Sequence, residues 1–78
     1  MELPPVPPLS ARLRAARDAL GLSQTLVAAA ANLDPSHYAR IERGRSVPTV
    51  ATLFRVAQVL NLHDLVDALR PYLSQPVA

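Results

Sequence analysis

Residues that begin and end helices recur at short intervals along this chain, and they constrain its fold more than any other feature. The clearest start is Asp34-Pro35, an acidic N-cap followed by proline at the first helical position. Gly21, Asn32 and Gly44 each tolerate the left-handed backbone that commonly ends a helix. The predicted N-caps are Ser10, Ser23, Asp34 and Thr49. No segment has the pattern of a strand, so the sequence predicts an all-α fold of five short helices.

The apolar residues follow a helical spacing and predict which faces are buried. The buried face of the first helix is predicted to comprise Leu9, Leu13, Ala16 and Leu20. That of the fourth is predicted to comprise Val50, Leu53, Phe54, Ala57 and Leu60. The alanines at 28–31 fit either high helix propensity or the close crossing of another helix.

The composition excludes several kinds of site. The chain has 78 residues, no cysteine and two histidines, so thiol chemistry is absent and we expect no metal site. Serine, histidine and aspartate occur, but no nucleophile elbow, phosphate-binding loop or paired carboxylates accompany them. We therefore expect neither enzymatic activity nor a cofactor.

The prolines suggest where the folded domain begins and ends. "MELPPVPP" lacks the backbone donors that a helix needs, so residues 1–8 are predicted to be a flexible arm. The helical domain is predicted over residues 9–70, and Pro71 is expected to end the last helix and open a tail, residues 71–78. No stretch resembles a signal peptide or reaches membrane-spanning length, so we expect a soluble cytoplasmic protein without a membrane partner.

The positive charge lies in the first part of the chain. All eight basic residues are arginines, and the formal net charge is +2. Residues 1–47 hold six arginines and four acids, whereas residues 48–78 hold two of each. A polyanion would therefore be bound by the first part of the chain.

The stretch "ARIERGRS", residues 39–46, concentrates three of these arginines. On a helical wheel Tyr38 and Ile41 point to one side, whereas Arg40 and Arg43 point to the other beside small residues. A helix of this kind can enter the major groove, where a guanidinium can bind the O6 and N7 of guanine. We favour this interpretation over a merely solvated face. For Arg12 and Arg14 we favour the solvated alternative over phosphate contact.

Glu42 requires a separate account, since phosphate would repel an acid on such a surface. On the wheel it points towards the first helix, where Arg17 lies at the edge of the apolar face. We predict that Arg17 and Glu42 form an ion pair between the first and third helices.

The stretch "GLSQTLVAAAANLDPSHYARIERGRSVPT" resembles the Cro and phage-repressor type of helix-turn-helix domain, the XRE family, and the resemblance spans roughly Leu9 to Leu69. It implies a lambda-repressor-like fold and a regulator that binds double-stranded DNA. It also implies base contacts from Pro35, Ser36, His37 and Arg40, while the position of His37 at the rim of the helix leaves DNA contact and a merely solvated side chain both open. The expected phosphate contacts are Gln24, Arg43, Arg45 and Ser46, and Gln24 is also expected to brace the third helix.

The sequence departs from the family pattern at three positions. Asn32 replaces the usual glycine of the turn, which asparagine permits. Pro35 stands where many members have a polar residue that contacts bases. His63 stands where a serine or aspartate cap often opens the fifth helix, which leaves that boundary open.

Two functions are compatible with this sequence, and they differ in the role given to the last part of the chain. The first is a transcriptional regulator, most readily a repressor, that binds a palindromic operator as a homodimer. Its dimer interface would be Leu62, Leu65, Val66 and Leu69, a role that we favour over the alternative that these residues only close the core of one chain. The second arises because "LNLHDLVDALRPYLSQP" is similar to the tails of HipB-like antitoxins, which hold a toxin and regulate their own operon.

Overall fold

The computed structural model describes residues 8–73, which form five α-helices and no strand. The helices are α1 (Leu9–Leu20), α2 (Gln24–Ala30), α3 (Pro35–Glu42), α4 (Val50–Val59) and α5 (His63–Leu73). The predicted all-α class is confirmed. Residues 1–7 of the predicted arm and 74–78 of the predicted tail lie outside the described residues.

Three of the four predicted N-caps are confirmed. The Ser23 side chain accepts a hydrogen bond from the Leu26 N–H, and Thr49 accepts from Thr52. Asp34 accepts from two N–H groups in the first turn of α3, at 3.0 and 3.2 Å. Each cap satisfies donors that have no partner within the helix, which fixes where these helices begin.

Ser10 is not an N-cap, and the prediction that it caps α1 is wrong. The helix begins at Leu9 with Pro8 as its N-cap, at φ −62° and ψ 155°, and no side chain caps it. The fixed φ of proline already suits this extended position. The Pro8 carbonyl then accepts the first backbone hydrogen bond, from Arg12 at 3.2 Å.

Positive φ values mark the ends of the first four helices. Gly21 has φ 68° and Gly44 has φ 75°, while Asn32 and Asn61 adopt φ 58° and 57°. Non-glycine residues pay a steric cost in this region, which asparagine tolerates better than most. Asn32 therefore performs the turn between α2 and α3 without glycine.

The core lies where α2 and α3 pack on each other and on α1 and α4. Ala28 and Ala31 are buried in it, whereas Ala29 and Ala30 are exposed, so only two of the four alanines serve a close crossing. The fully enclosed cluster consists of Leu13, Val27, Ala28, Ala31, Tyr38, Ile41, Val56 and Leu60.

Two predicted buried faces differ from those observed. Leu20 and Val50 are 42% and 41% exposed, because they lie at helix ends that extend beyond the core. Val56, which the sequence interpretation omitted, is buried in α4. The rest of each predicted face is buried or half-buried.

Pro71 does not end α5, which continues to Leu73. Proline removes one donor from the helix, and the carbonyl without a partner would be that of Asp67, four residues earlier. Asp67 is exposed, so water can bind that carbonyl. The Arg70 guanidinium also lies 5.7 Å from the Phe54 ring centroid, joining the end of α5 to α4.

Candidate nucleic-acid interface

Helix α3 has one buried and one open face. Tyr38 and Ile41 are 0% and 2% exposed and anchor the helix in the core. Ser36 and Arg40 are exposed, and the small Ala39 between them is half-buried. Arg40 therefore projects from a helix anchored in the core, with the small side chains of Ser36 and Ala39 beside it.

A surface groove follows this open face into the loop after α3. Gly44, at φ 75°, reverses the chain, and the Arg45 N–H donates to the Arg40 carbonyl at 2.9 Å. This turn sets Arg45 beside the last turn of α3. The groove is lined by Pro35, Ser36, Ala39, Arg40, Arg43 and Arg45. Its charged lining residues are all arginines, which suits phosphate oxygens and the acceptor edge of guanine.

The other predicted contact residues do not line this groove. His37 is half-buried at the rim of α3, and Ser46 is half-buried in the loop. Gln24, the first residue of α2, is also half-buried, and its Nε2 donates to Glu42 Oε1 at 3.2 Å. The structure thus brings Gln24 against the carboxylate that holds α3.

Arg17 and Glu42 lie together between α1 and α3. Arg17 Nη2 donates to Glu42 Oε1 at 2.7 Å, and Arg17 Nε donates to Oε2 at 2.9 Å, a bidentate arrangement. A third donor, Arg17 Nη1, binds the Leu22 carbonyl at 2.9 Å, just before α2. The Glu42 side chain is 1% exposed, so this acid faces the protein interior and leaves the open side of α3 to cations.

The surroundings of Glu42 keep it ionised. Burial alone would raise its pKa, but hydrogen bonds from Arg17 and Gln24 and the Arg17 charge outweigh burial, and the pKa lies below the ordinary value. Burial and the neighbouring carboxylate raise the pKa of Tyr38. The Tyr38 hydroxyl is fully buried, without a well-directed hydrogen bond among the described residues.

A residue that the sequence interpretation missed supports the turn between α2 and α3. Arg55 of α4 donates from Nε to the Ala31 carbonyl at 2.9 Å. That carbonyl is at the end of α2, where helical partners run out. Arg55 lies on the polar side of α4, where an arginine usually faces solvent. The sequence around it therefore does not indicate a contact with a residue 24 positions earlier.

The two arginines interpreted as solvated differ in the structure. Arg12 Nη2 donates to both carboxylate oxygens of Asp64 on α5, at 3.1 and 3.0 Å. Arg14 is 68% exposed along its side chain and lies on a second groove, beside Arg43 and Arg45. The sequence does indicate which residues accompany Arg14 in this groove. Ser10, Arg14 and Asp18 follow one another at intervals of four residues, so they share one face of α1.

The predicted dimer stripe begins at Leu62, just before α5, continues along that helix and is divided between core and surface. Val66 is buried, and Leu62 is half-buried against the core. Leu65 and Leu69 are half-buried. Beyond them, Tyr72 and Leu73 are 64% and 43% exposed. The monomer therefore leaves apolar surface along the second part of α5.

Over residues 8–73, no helix is long and apolar enough to cross a membrane. Within the same range, no three histidine or acidic side chains group together as metal ligands would.

Comparison with known proteins identifies this arrangement. Residues 13–64 match the Helix-turn-helix family, a span that runs from the middle of α1 into α5. The chain belongs to this family. The predicted resemblance to the Cro and phage-repressor type, the XRE family, is thereby confirmed. Here α2 and α3 lie in the positions of the two helices of the motif.

A similar curated protein is an uncharacterized HTH-type transcriptional regulator of Sinorhizobium fredii. It is 41% identical over 54 residues, which cover 69% of this chain but 28% of that protein. The chain therefore matches less than a third of the length of this relative. No solved structure matches the chain significantly. The family gives this chain a helix-turn-helix domain, and the relative is itself described as a transcriptional regulator.

Proposed function

We propose that this helix-turn-helix chain is a sequence-specific repressor that binds a palindromic operator as a two-fold dimer. The observation that carries the proposal is the open face of α3, where Arg40 stands exposed above a groove whose charged lining is arginine alone. In this motif the second helix enters the major groove and its first turns contact base edges.

Arg40 is assigned the main role in base recognition. Its guanidinium can donate two hydrogen bonds to the O6 and N7 of one guanine, a contact that no other base pair offers in the same geometry. Ser36, one turn earlier and exposed, can donate to or accept from a neighbouring base. Pro35 and His37 complete the proposed reading surface at its start and rim.

Phosphate contacts would set the position of α3 on the duplex. Arg43 and Arg45 line the groove, and Ser46 follows them in the loop. Gln24 uses one hydrogen-bond donor on Glu42, which leaves its second amide N–H for a phosphate oxygen. Such contacts bind every sequence alike and make the affinity dependent on salt.

The dimer is proposed to form through α5. Leu62, Leu65, Val66 and Leu69 are the proposed interface residues, and the partial exposure of Leu65 and Leu69 leaves apolar surface for a second copy. Two recognition helices related by a two-fold axis would then enter successive major grooves about 34 Å apart. This geometry requires an inverted-repeat operator.

The test is selection of bound duplexes from a random pool, with wild type, Arg40→Ala and Arg40→Lys in parallel. Wild type should enrich an inverted repeat. Arg40→Ala should lose about 1–3 kcal/mol of discrimination at one position of each half-site. Arg40→Lys is the matched control, because it keeps the charge but loses the bidentate fork. It should retain general affinity and lose selectivity at the same position.

Two results would contradict the proposal. An Arg40→Ala protein that enriches the same operator as wild type would show that the reading face is wrong.

Sedimentation equilibrium of wild type and Leu65→Asp tests the dimer. The Leu65→Asp variant should be monomeric, because it places a charge in the proposed apolar interface. A monomeric wild type that co-purifies with a second protein would instead favour the antitoxin function.

A further inference from the structure

We propose that α1 supplies an additional phosphate-binding site, in which Arg14 contacts a DNA backbone phosphate outside the bases read by α3. The inference rests on the proposed function and extends the DNA-binding surface from the helix-turn-helix motif to the first helix. The site is the second surface groove, lined by Ser10, Ala11, Arg14, Ala15, Asp18, Glu42, Arg43 and Arg45.

The face of α1 that lines this groove is built like the open face of α3. Ala11 and Ala15 flank Arg14 with minimal side chains, as Ala39 flanks Arg40. The Arg14 side chain is 68% exposed, so it can reach a ligand above the groove without leaving a buried position.

The acids in the groove do not neutralise it. Glu42 is held by the bidentate contact from Arg17, whose nearest distance is 2.7 Å, whereas Arg14 Nε lies 3.9 Å from the same oxygen. Asp18 lies 3.6 Å from Arg17 Nη1. Both acids are therefore engaged chiefly by one arginine. Arg17 balances one of these two acidic charges, so Arg14, Arg43 and Arg45 together exceed the remaining acid and leave the groove positive towards solvent.

The two grooves are neighbours, because Arg43 and Arg45 line both. A duplex seated with α3 in its major groove presents one flanking backbone to the loop after α3, where these two arginines lie. The same backbone, continued past them, reaches the α1 face and Arg14. A backbone phosphate is the anionic group on that path, and a guanidinium forms charge-assisted hydrogen bonds with its oxygens.

Arg12 provides a matched control on the same helix. It carries the same charge, but its guanidinium binds both oxygens of Asp64 on α5 and it lines neither groove. The inference therefore predicts that Arg14 contributes to DNA affinity and that Arg12, two positions earlier on the same helix, does not.

The experiment measures the dependence of operator affinity on salt for wild type, Arg14→Ala, Arg14→Lys and Arg12→Ala. Loss of one phosphate contact should lower the slope of log K against log salt by about 0.9. The affinity ratio of wild type to Arg14→Ala should then narrow about 3.5-fold when the salt is raised fourfold. Arg14→Lys should keep the wild-type slope, since it keeps the charge, and so should Arg12→Ala. Circular dichroism confirms that each variant is folded.

Neutral methylphosphonate linkages, placed one at a time in the operator, locate the partner phosphate. One of these linkages, outside the bases read by α3, should replace the phosphate that Arg14 contacts. On that duplex wild type and Arg14→Ala should bind with equal affinity. An unchanged slope for Arg14→Ala on an operator that wild type binds would overturn the α1 site alone. Equal slope losses for Arg12→Ala and Arg14→Ala, or for Arg14→Lys and Arg14→Ala, would also overturn it. Failure of wild type to bind any duplex specifically would overturn the site and the proposed function together.

Discussion

The Arg17–Glu42 pair offers the sharpest test of how this fold holds α3 in place. Its two partners lie on α1 and α3, with side chains 15% and 1% exposed. We consider the replacement of each by methionine, which keeps side-chain length and volume while removing the charge. The single variants, Arg17→Met and Glu42→Met, and the double variant complete a thermodynamic cycle.

Arg17→Met and Glu42→Met should lower the free energy of unfolding by different amounts. Arg17→Met leaves a carboxylate 1% exposed with only the Gln24 amide at 3.2 Å and the more distant Arg14. Removing one partner of a buried pair costs 3–5 kcal/mol, and the partial exposure of Arg17 points to the lower end, about 3 kcal/mol. Glu42→Met should cost less, about 1–2 kcal/mol, because Arg17 can turn into water and keep its bond to Leu22.

The double variant should be little worse than Glu42→Met, because an apolar pair of similar volume can replace a buried ion pair at small cost. The coupling energy should therefore be about 2–3 kcal/mol. A chain of 78 residues has a stability of about 4–12 kcal/mol, so every variant should retain a measurable folded state at low temperature.

Urea unfolding followed by circular dichroism measures the cycle. With a slope of about 1 kcal/mol per molar urea, Arg17→Met should lower the midpoint by about 3 M. If the free energy of unfolding falls with the same slope against urea in all four proteins, the same unfolding transition is being compared. A coupling energy below about 1 kcal/mol, the range of exposed pairs, would refute the argument that this pair fastens α3 to α1.

Two further predictions follow from the same structure. The folded-state pKa of Glu42 is lowered, so its stabilisation is present above the unfolded value near 4.5 and is lost as the pH falls through the folded value. The stability gap between wild type and Arg17→Met should therefore shrink below about pH 4.5, and a gap independent of pH in urea titrations would contradict this. Asn32, at φ 58°, should accept glycine with little change, whereas Asn32→Ala should cost about 1–2 kcal/mol. The alanine variant should melt about 4–16 °C lower, and equal melting of both variants would show that the turn relaxes.

The sequence by itself determined the elements and the polarity of α3. Asp34, Thr49 and the left-handed Asn32 act through groups one to three residues away, so local chemistry was enough to place them. The division of α3 into a core face and an arginine face also follows from a spacing that every α-helix shares. Family membership could be inferred for the same reason, since its signal is a local pattern of caps, small residues and charges.

The tertiary structure decided how residues distant in the chain come together. Only packing sets Arg55 against the Ala31 carbonyl and Arg12 against Asp64, because neither position differs in sequence from a solvated arginine. Packing also joined the α1 groove to the α3 groove through Arg43 and Arg45. Helix α5 continued past Pro71 for a related reason, since an exposed carbonyl can exchange its lost helical partner for water. Whether a polar group binds a helix, a neighbour or solvent depends on what surrounds it in space, and a linear pattern does not contain that information.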